Sequence, residues 1–235
     1  MNALIVIPAL NEERTIQTVI EKLQLHNHNN ILVVNDFSTD KTKDKVLTTG
    51  VDLINLPIQL GAWGATQTGI RYALKNGYDY VITMDADGQH LSNGVKTLKK
   101  HLKETQASVV IGTFTQRLSK PKRAAWWFFK TITKLKIEDL TSGFRIYDRK
   151  AMRVLSSTSA SLLDYQDVGV LLLLTKAGMK ITEIEVPMTN RKSGKSKIFY
   201  SWWMVFKYMI QTTTLCIAKT GVHKRNKQKL KTNNQ

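Results

Sequence analysis

Short apolar runs alternate with amphipathic stretches through the first half of the chain. Residues 3–8, 31–35, 52–56, 80–84 and 108–112 are nearly continuous in apolar character and read as strands. Residues 12–23, 40–47, 65–75 and 92–103 carry helical periodicity between them. Such alternation predicts an α/β fold, a mainly parallel sheet covered by helices on both faces. Ligands of sheets of this kind sit beyond the carboxyl ends of the strands. The second half is less regular: a basic aromatic stretch at 120–136, the segment 141–145, a helix near 167–177, a strand at 180–186 and then a basic loop containing glycine. No internal repeat or low-complexity linker interrupts it, and a polar tail begins at His223.

Three predicted strand ends carry polar clusters: residues 8–12, 35–40 and 85–90. A parallel sheet would gather all three at one edge. Asp85 and Asp87 stand two apart, so an extended backbone points both carboxylates the same way. Paired carboxylates repel unless a cation lies between them, and oxygen ligation suits Mg²⁺ or Mn²⁺. Gln89 adds a neutral oxygen at the same spacing. A calcium loop is excluded, because His90 stands where its glycine belongs and Lys96 where its bidentate acid belongs. Asp36 can accept hydrogen bonds from a nucleobase, while Asp36 or Asp40 can equally cap a helix and Glu12 can favour a helix N-terminus. Gly61, Gly64 and Gly69 lack the spacing of a dinucleotide fingerprint.

Charge narrows the partners. Lys and Arg total 35 against 18 Asp and Glu, a net charge of +17, which calls for an anionic partner. After Glu185 no acid occurs, while basic residues recur from Arg191 to Lys231, beside an aromatic-rich segment. Residues 198–218 are long enough to span the roughly 30 Å hydrocarbon core, yet Lys207, Gln211 and Thr214 make a polar stripe opposite Trp203, Phe206, Ile210 and Ile217. That pattern favours a helix lying in the membrane interface. Trp126, Trp127, Phe128 and Phe129 offer a second membrane contact or a core helix. A single cysteine, Cys216, and no leader-like segment at Met1 point to a reducing, cytoplasmic compartment.

In order along the chain, Pro8-Ala-Leu-Asn-Glu12, Val34-Asn-Asp36 with Ser38 and Asp40, Leu60-Gly61 to Gly69, Asp85-Ala-Asp-Gly-Gln-His90, Thr141-Ser-Gly-Phe-Arg145 and Arg191 to Lys197 resemble the family 2 glycosyltransferases. The likeness is to their polyprenyl-phosphate branch, which includes dolichol-phosphate mannose synthase. It implies a GT-A-like domain over 1–197, an interfacial helix at 198–219 and a flexible basic tail at 220–235. It also implies inverting, metal-dependent transfer from a nucleotide-sugar donor to a polyprenyl phosphate at the cytoplasmic face of the membrane. Pro8, Leu10, Glu12, Val34 and Asp36 would hold the nucleoside, Asp85 and Ala86 the ribose and sugar-diphosphate, and Asp87 with Gln89 the metal. Arg117, Arg145, Arg191 and Lys197 would contact phosphates, work that suits a guanidinium fork.

Three positions depart from the family pattern. Gly112 to Arg117 is looser than Gly-Ser-Arg, Leu140 replaces a frequent proline, and Gly169 stands where relatives often carry a second acid. Asp167 then remains as the candidate catalytic base. A lipid phosphate, with a second pKa near ~6, arrives ionised and needs no base, whereas a sugar hydroxyl does. A phosphate acceptor is therefore expected, with extension of a lipid-linked or surface glycan at a hydroxyl as the rival. A small membrane-protein partner or a homo-oligomer is also compatible with this reading. Nucleic-acid binding rests on charge alone, and no module for it is recognisable.

Overall fold

The computed structural model describes residues 1–114, 137–140, 142–163 and 168–189. Among them, seven strands form one sheet: β1 Ala3–Ala9, β2 Ile31–Asn35, β3 Asp52–Asn55, β4 Tyr80–Thr83, β5 Val109–Thr113, β6 Arg145–Asp148 and β7 Ile181–Glu185. Their order is β3-β2-β1-β4-β6-β5-β7. β1 pairs in parallel with β2 and β4, as do β2 with β3 and β5 with β7. The strand at 145–148 was not anticipated. It runs antiparallel between β4 and β5, with Arg145 opposite both Thr83 and Ile111. The segment entering β6 therefore arrives at the same sheet edge as the carboxyl end of β4.

The helices are α1 Ile16–Leu25, α2 Thr42–Leu47, α3 Gly61–Lys75, α4 Ser92–Thr105, α5 Arg149–Leu155, α6 Thr158–Ser161 and α7 Val168–Lys176. Alternation along the strands sorts the core. Ile5, Ile7, Ile31, Val33, Ile82 and Met84 pack with Ile16, Ile20 and Leu23 of α1 and with Val95 and Leu98 of α4. On the other face Val6 presses so closely on Gly69 of α3 that any Cβ there would overlap it. Trp63 Nε1 donates to Ala160 O at 2.7 Å and Gln67 Nε2 to Leu155 O at 2.8 Å, which ties α3 to α5 and α6.

Two helices start elsewhere than their periodicity suggested. Residues 12–15 form a separate turn, Thr15 N and Ile16 N both donating to Glu12 O, so α1 begins at Ile16. α3 begins at Gly61, four residues early, because Gly61 adopts φ +79 at no steric cost and turns the chain directly into the helix. No helix among the described residues is long and apolar enough to cross a membrane. The aromatic stretch at 120–136, the expected interfacial helix at 198–219 and the tail lie outside the described residues.

Candidate active site

Hydrogen bonds stitch the loops after β1 and β2 together. Asn11 N donates to Ser38 Oγ at 2.9 Å, Thr39 N to Asn11 Oδ1 at 2.8 Å and Glu12 N to Thr42 Oγ1 at 2.7 Å. Glu13 N donates to Asp40 Oδ2 at 3.2 Å and Lys41 N returns to Glu13 Oε2 at 3.1 Å. Asp40 also accepts from Thr42 N, the first residue of α2, so of the two acids proposed as caps Asp40 supports that helix start. Asp36 does something else. Its Oδ1 accepts from Leu60 N at 2.7 Å, while Oδ2 is buried without a hydrogen-bond partner among the described residues. A buried carboxylate oxygen left over at a strand end is suited to a ligand N–H, since leaving it unmet costs about 1–3 kcal/mol.

Around Asp36, Pro8, Leu10 and Glu12 are half-buried, and Glu12 Oε2 accepts from Thr15 Oγ1 at 3.1 Å. Val34 is fully buried opposite Pro8 in the sheet, so only its backbone can border a ligand.

The acidic turn follows β4. Asp87 is buried and its Oδ1 accepts from Gln89 N at 3.0 Å, while Ala86 and the Gln89 side chain are buried beside it. Asp85 is half-exposed, with Oδ2 3.1 Å from Nε2 of His90. The His90 ring is itself buried and stacks on Phe144, centroids 4.9 Å apart. Asp85 rests against Gly143, where a Cβ would lie 2.6 Å from its Oδ1. Gly143 is held in turn: its carbonyl accepts from Thr83 Oγ1 at 2.7 Å, and neighbouring Ser142 Oγ donates to Gly112 O at 2.6 Å. Ser142 N donates to Asp139 Oδ1, and Glu138 N and Asp139 N both donate to Glu183. Burial pushes the Glu183 carboxyl above its ordinary range.

The donor set is one of hard oxygens. Among the described residues no group of three or more His, Cys, Asp and Glu gathers into a cage. Asp85 and Asp87 at an open strand end fit a Mg²⁺ or Mn²⁺ ion that keeps waters and takes phosphate oxygens, which is how such ions bind with only one or two carboxylates.

Arg145, expected among the phosphate contacts, is fully buried. As the first residue of a strand with neighbours on both sides, it lies within the sheet and donates from Nη2 to Leu140 O at 3.0 Å. That bond ties it to the segment leading to Gly143, while its Nε and Nη1 are buried without a hydrogen-bond partner among the described residues. Arg117, Asp167, Arg191 and Lys197 lie outside the described residues. His90 and Gly143 were parts of motifs without an assigned role. Their signal was available only as motif membership, and Gly143 follows Asp85 by 58 positions, 143 against 85, with nothing local to join them.

With this geometry in view, the model of the family described as "Glycosyl transferase family 2" matches residues 4–156. The chain is 26% identical to the undecaprenyl-phosphate mannosyltransferase of Micrococcus luteus, over 84% of this chain and 88% of that protein. It is 28% identical to a UDP-N-acetylglucosamine–dolichyl-phosphate N-acetylglucosaminyltransferase of Methanococcus voltae, over 78% and 83% respectively. Its fold matches glucosyl-3-phosphoglycerate synthase of Mycobacterium tuberculosis, solved with Mn²⁺, UDP-glucose and phosphoglyceric acid, with a TM-score of 0.72 and 16% identity over 94% of this chain and 80% of that one.

Proposed function

The chain belongs to glycosyl transferase family 2, and we propose that it moves one sugar from a nucleotide-sugar donor to a polyprenyl phosphate at the cytoplasmic face of a membrane. That it is a glycosyltransferase with a GT-A-like fold follows from the family and from the fold match. The lipid acceptor is supported by relatives whose names specify undecaprenyl and dolichyl phosphate.

The observation that carries the reading is the sheet edge itself. The unmet Oδ2 of Asp36 and the carboxylates of Asp85 and Asp87 are gathered there from β2 and β4, the chemistry a nucleoside at one end and a diphosphate at the other require. Asp36 accepts a ring N–H of the base, while Pro8, Leu10 and Glu12 border the nucleoside. Asp87 with Gln89 would hold Mg²⁺ or Mn²⁺, with the Asp85 carboxylate on the ribose and sugar-diphosphate side. The chemistry such an ion would supply there is neutralisation of charge on the departing nucleoside diphosphate. His90 and Gly143 fix the Asp85 carboxylate so that it is oriented before the donor enters. The acceptor phosphate oxygen attacks the anomeric carbon as the bond to the diphosphate breaks, inverting the configuration. Arg117, Arg145, Arg191 and Lys197 are the cations proposed to receive the phosphates, and no base is needed because the acceptor is already ionised. An interfacial helix at 198–219 and the basic tail would keep the enzyme at the anionic surface where its acceptor resides.

Incubating the purified protein and bacterial membranes with radiolabelled UDP-, GDP- and dTDP-sugars tests this. The expected product is a glycosyl phosphoryl lipid labile to mild acid, formed in Mn²⁺ or Mg²⁺ and abolished by EDTA. Label only in an acid-stable glycan would favour a hydroxyl acceptor, with Asp167 as base.

A further inference from the structure

On the α1 side of the acidic turn lies a cavity of about 340 Å³, with Arg14, Thr18, Lys22, Gly88, His90 and Ser92 in its walls. Neither Asp36, Asp85 nor Asp87 lines it, and among the described lining residues there is no carboxylate. The acidic turn between Met84 and Ser92 supplies one wall through Met84, Gly88, His90, Leu91 and Ser92.

Its chemistry is specific in sign. Arg14, Thr18 and Lys22 recur every four residues along the first turn and α1, so they form one exposed stripe along the cavity. The next position in that series, His26, lies with Nδ1 2.9 Å from Ser92 Oγ. Burial first, then the charges of Lys99 and Lys96 and the nearby His26, push the His28 imidazole below its ordinary value. Val19, Met84 and Leu91 supply an apolar floor. The volume falls within the range of small-molecule sites. A guanidinium, an ammonium and hydroxyls lining one cavity are the groups that bind phosphate oxygens, and the floor accommodates a small uncharged body.

We infer that this cavity is a second ligand site that takes a phosphate monoester, with Arg14 and Lys22 as its anion-binding residues. Arg14 grips the phosphate oxygens as a fork and Lys22 adds a point charge, while Thr18 and Ser92 donate hydroxyls. The same phosphate chemistry occurs in soluble metabolites and in the headgroup of phosphatidic acid. The site stands on its own cavity and does not require the donor reading.

Calorimetry on the full chain at fixed ionic strength, with phenyl phosphate as the soluble probe, tests the assignment. Co-sedimentation with phosphatidylcholine vesicles containing phosphatidic acid forms the second arm. Arg14→Ala/Lys22→Ala should weaken phenyl phosphate binding at least tenfold. Lys43→Ala/Lys45→Ala, which removes the same charge from exposed positions on α2, should not. Asp36→Ala should leave it unchanged, which separates failure here from failure of the proposed nucleotide site. Loss confined to the vesicle arm in the Arg14/Lys22 variant would identify a lipid headgroup as the source of the phosphate. Equal binding by the wild type and both double variants in both arms, or no binding by the wild type in either, would overturn the inference.

Discussion

Replacing Gly143 with Ala should disable the site while leaving the fold largely intact. The backbone there is not in the left-handed region, so alanine brings no conformational penalty. Its Cβ, however, would stand 2.6 Å from Asp85 Oδ1, 3.0 Å from Oδ2 and 3.1 Å from Cγ. An ordinary contact begins at 3.4 Å, so the nearer oxygen must recede by about 0.8 Å, the difference between 3.4 and 2.6. The glycine segment cannot give way easily: Thr83 Oγ1 holds its carbonyl, Ser142 is bonded to Gly112, and Arg145 is paired on both sides. Asp85 is half-exposed and yields instead. An off-rotamer side chain costs about 0.5–1.5 kcal/mol and a weakened hydrogen bond to His90 about as much, so a stability loss of about 1–3 kcal/mol is expected. Catalysis suffers more, because a misplacement near 1 Å costs on the order of 10²-fold in rate. Denaturant unfolding, sugar transfer and Mn²⁺ calorimetry on the same preparation measure the three effects. In an Asp85→Ala background the added alanine should change little further, since the clash has lost its partner. A folded Gly143→Ala enzyme with wild-type kcat/KM and Mn²⁺ affinity would refute the reasoning.

Asp36→Ala should lower nucleotide affinity by about tenfold or more while weakening only the cap on Leu60 N, a loss of about 1 kcal/mol by denaturation. Gly112→Ala should do the opposite. Its Cβ would meet the Phe144 ring at 2.8 Å and Val186 at 3.0 Å, so thermal unfolding should report about 1–3 kcal/mol of overpacking. His28, held below its ordinary 6.5 by burial and nearby cations, makes stability fall with acidity. As pH drops below about 6.5 the unfolded chain takes up a proton that the folded one resists, and His28→Gln should flatten that part of the stability curve. Deleting the residues after Lys197 should release the protein from membranes and cut transfer to a long polyprenyl phosphate while sparing nucleotide binding. Carbonate extraction of the full chain should also release it, and resistance would indicate a spanning helix.

Local pattern determined much of this protein. Apolar runs of five or six residues identified β1, β2, β4 and β5 to within a residue or two, because strands buried on both faces leave a continuous signal. The polar clusters after β1, β2 and β4 were legible for the same reason, since a parallel sheet sends successive strand ends to one edge. Asp36, Asp85 and Asp87 were found that way. The sequence did not disclose Arg145–Asp148 as a central antiparallel strand, because four residues with charged ends give neither alternation nor an apolar run. Only pairing with β4 and β5 makes it a strand, and that pairing carries Gly143 under Asp85 and buries an arginine whose motif suggested a phosphate contact. The support of Asp85 by Gly143, and the basic cavity behind the turn, likewise join residues far apart in the chain. Periodicity reports which face of an element is buried, whereas the partner on that face is chosen by the packing of the whole sheet.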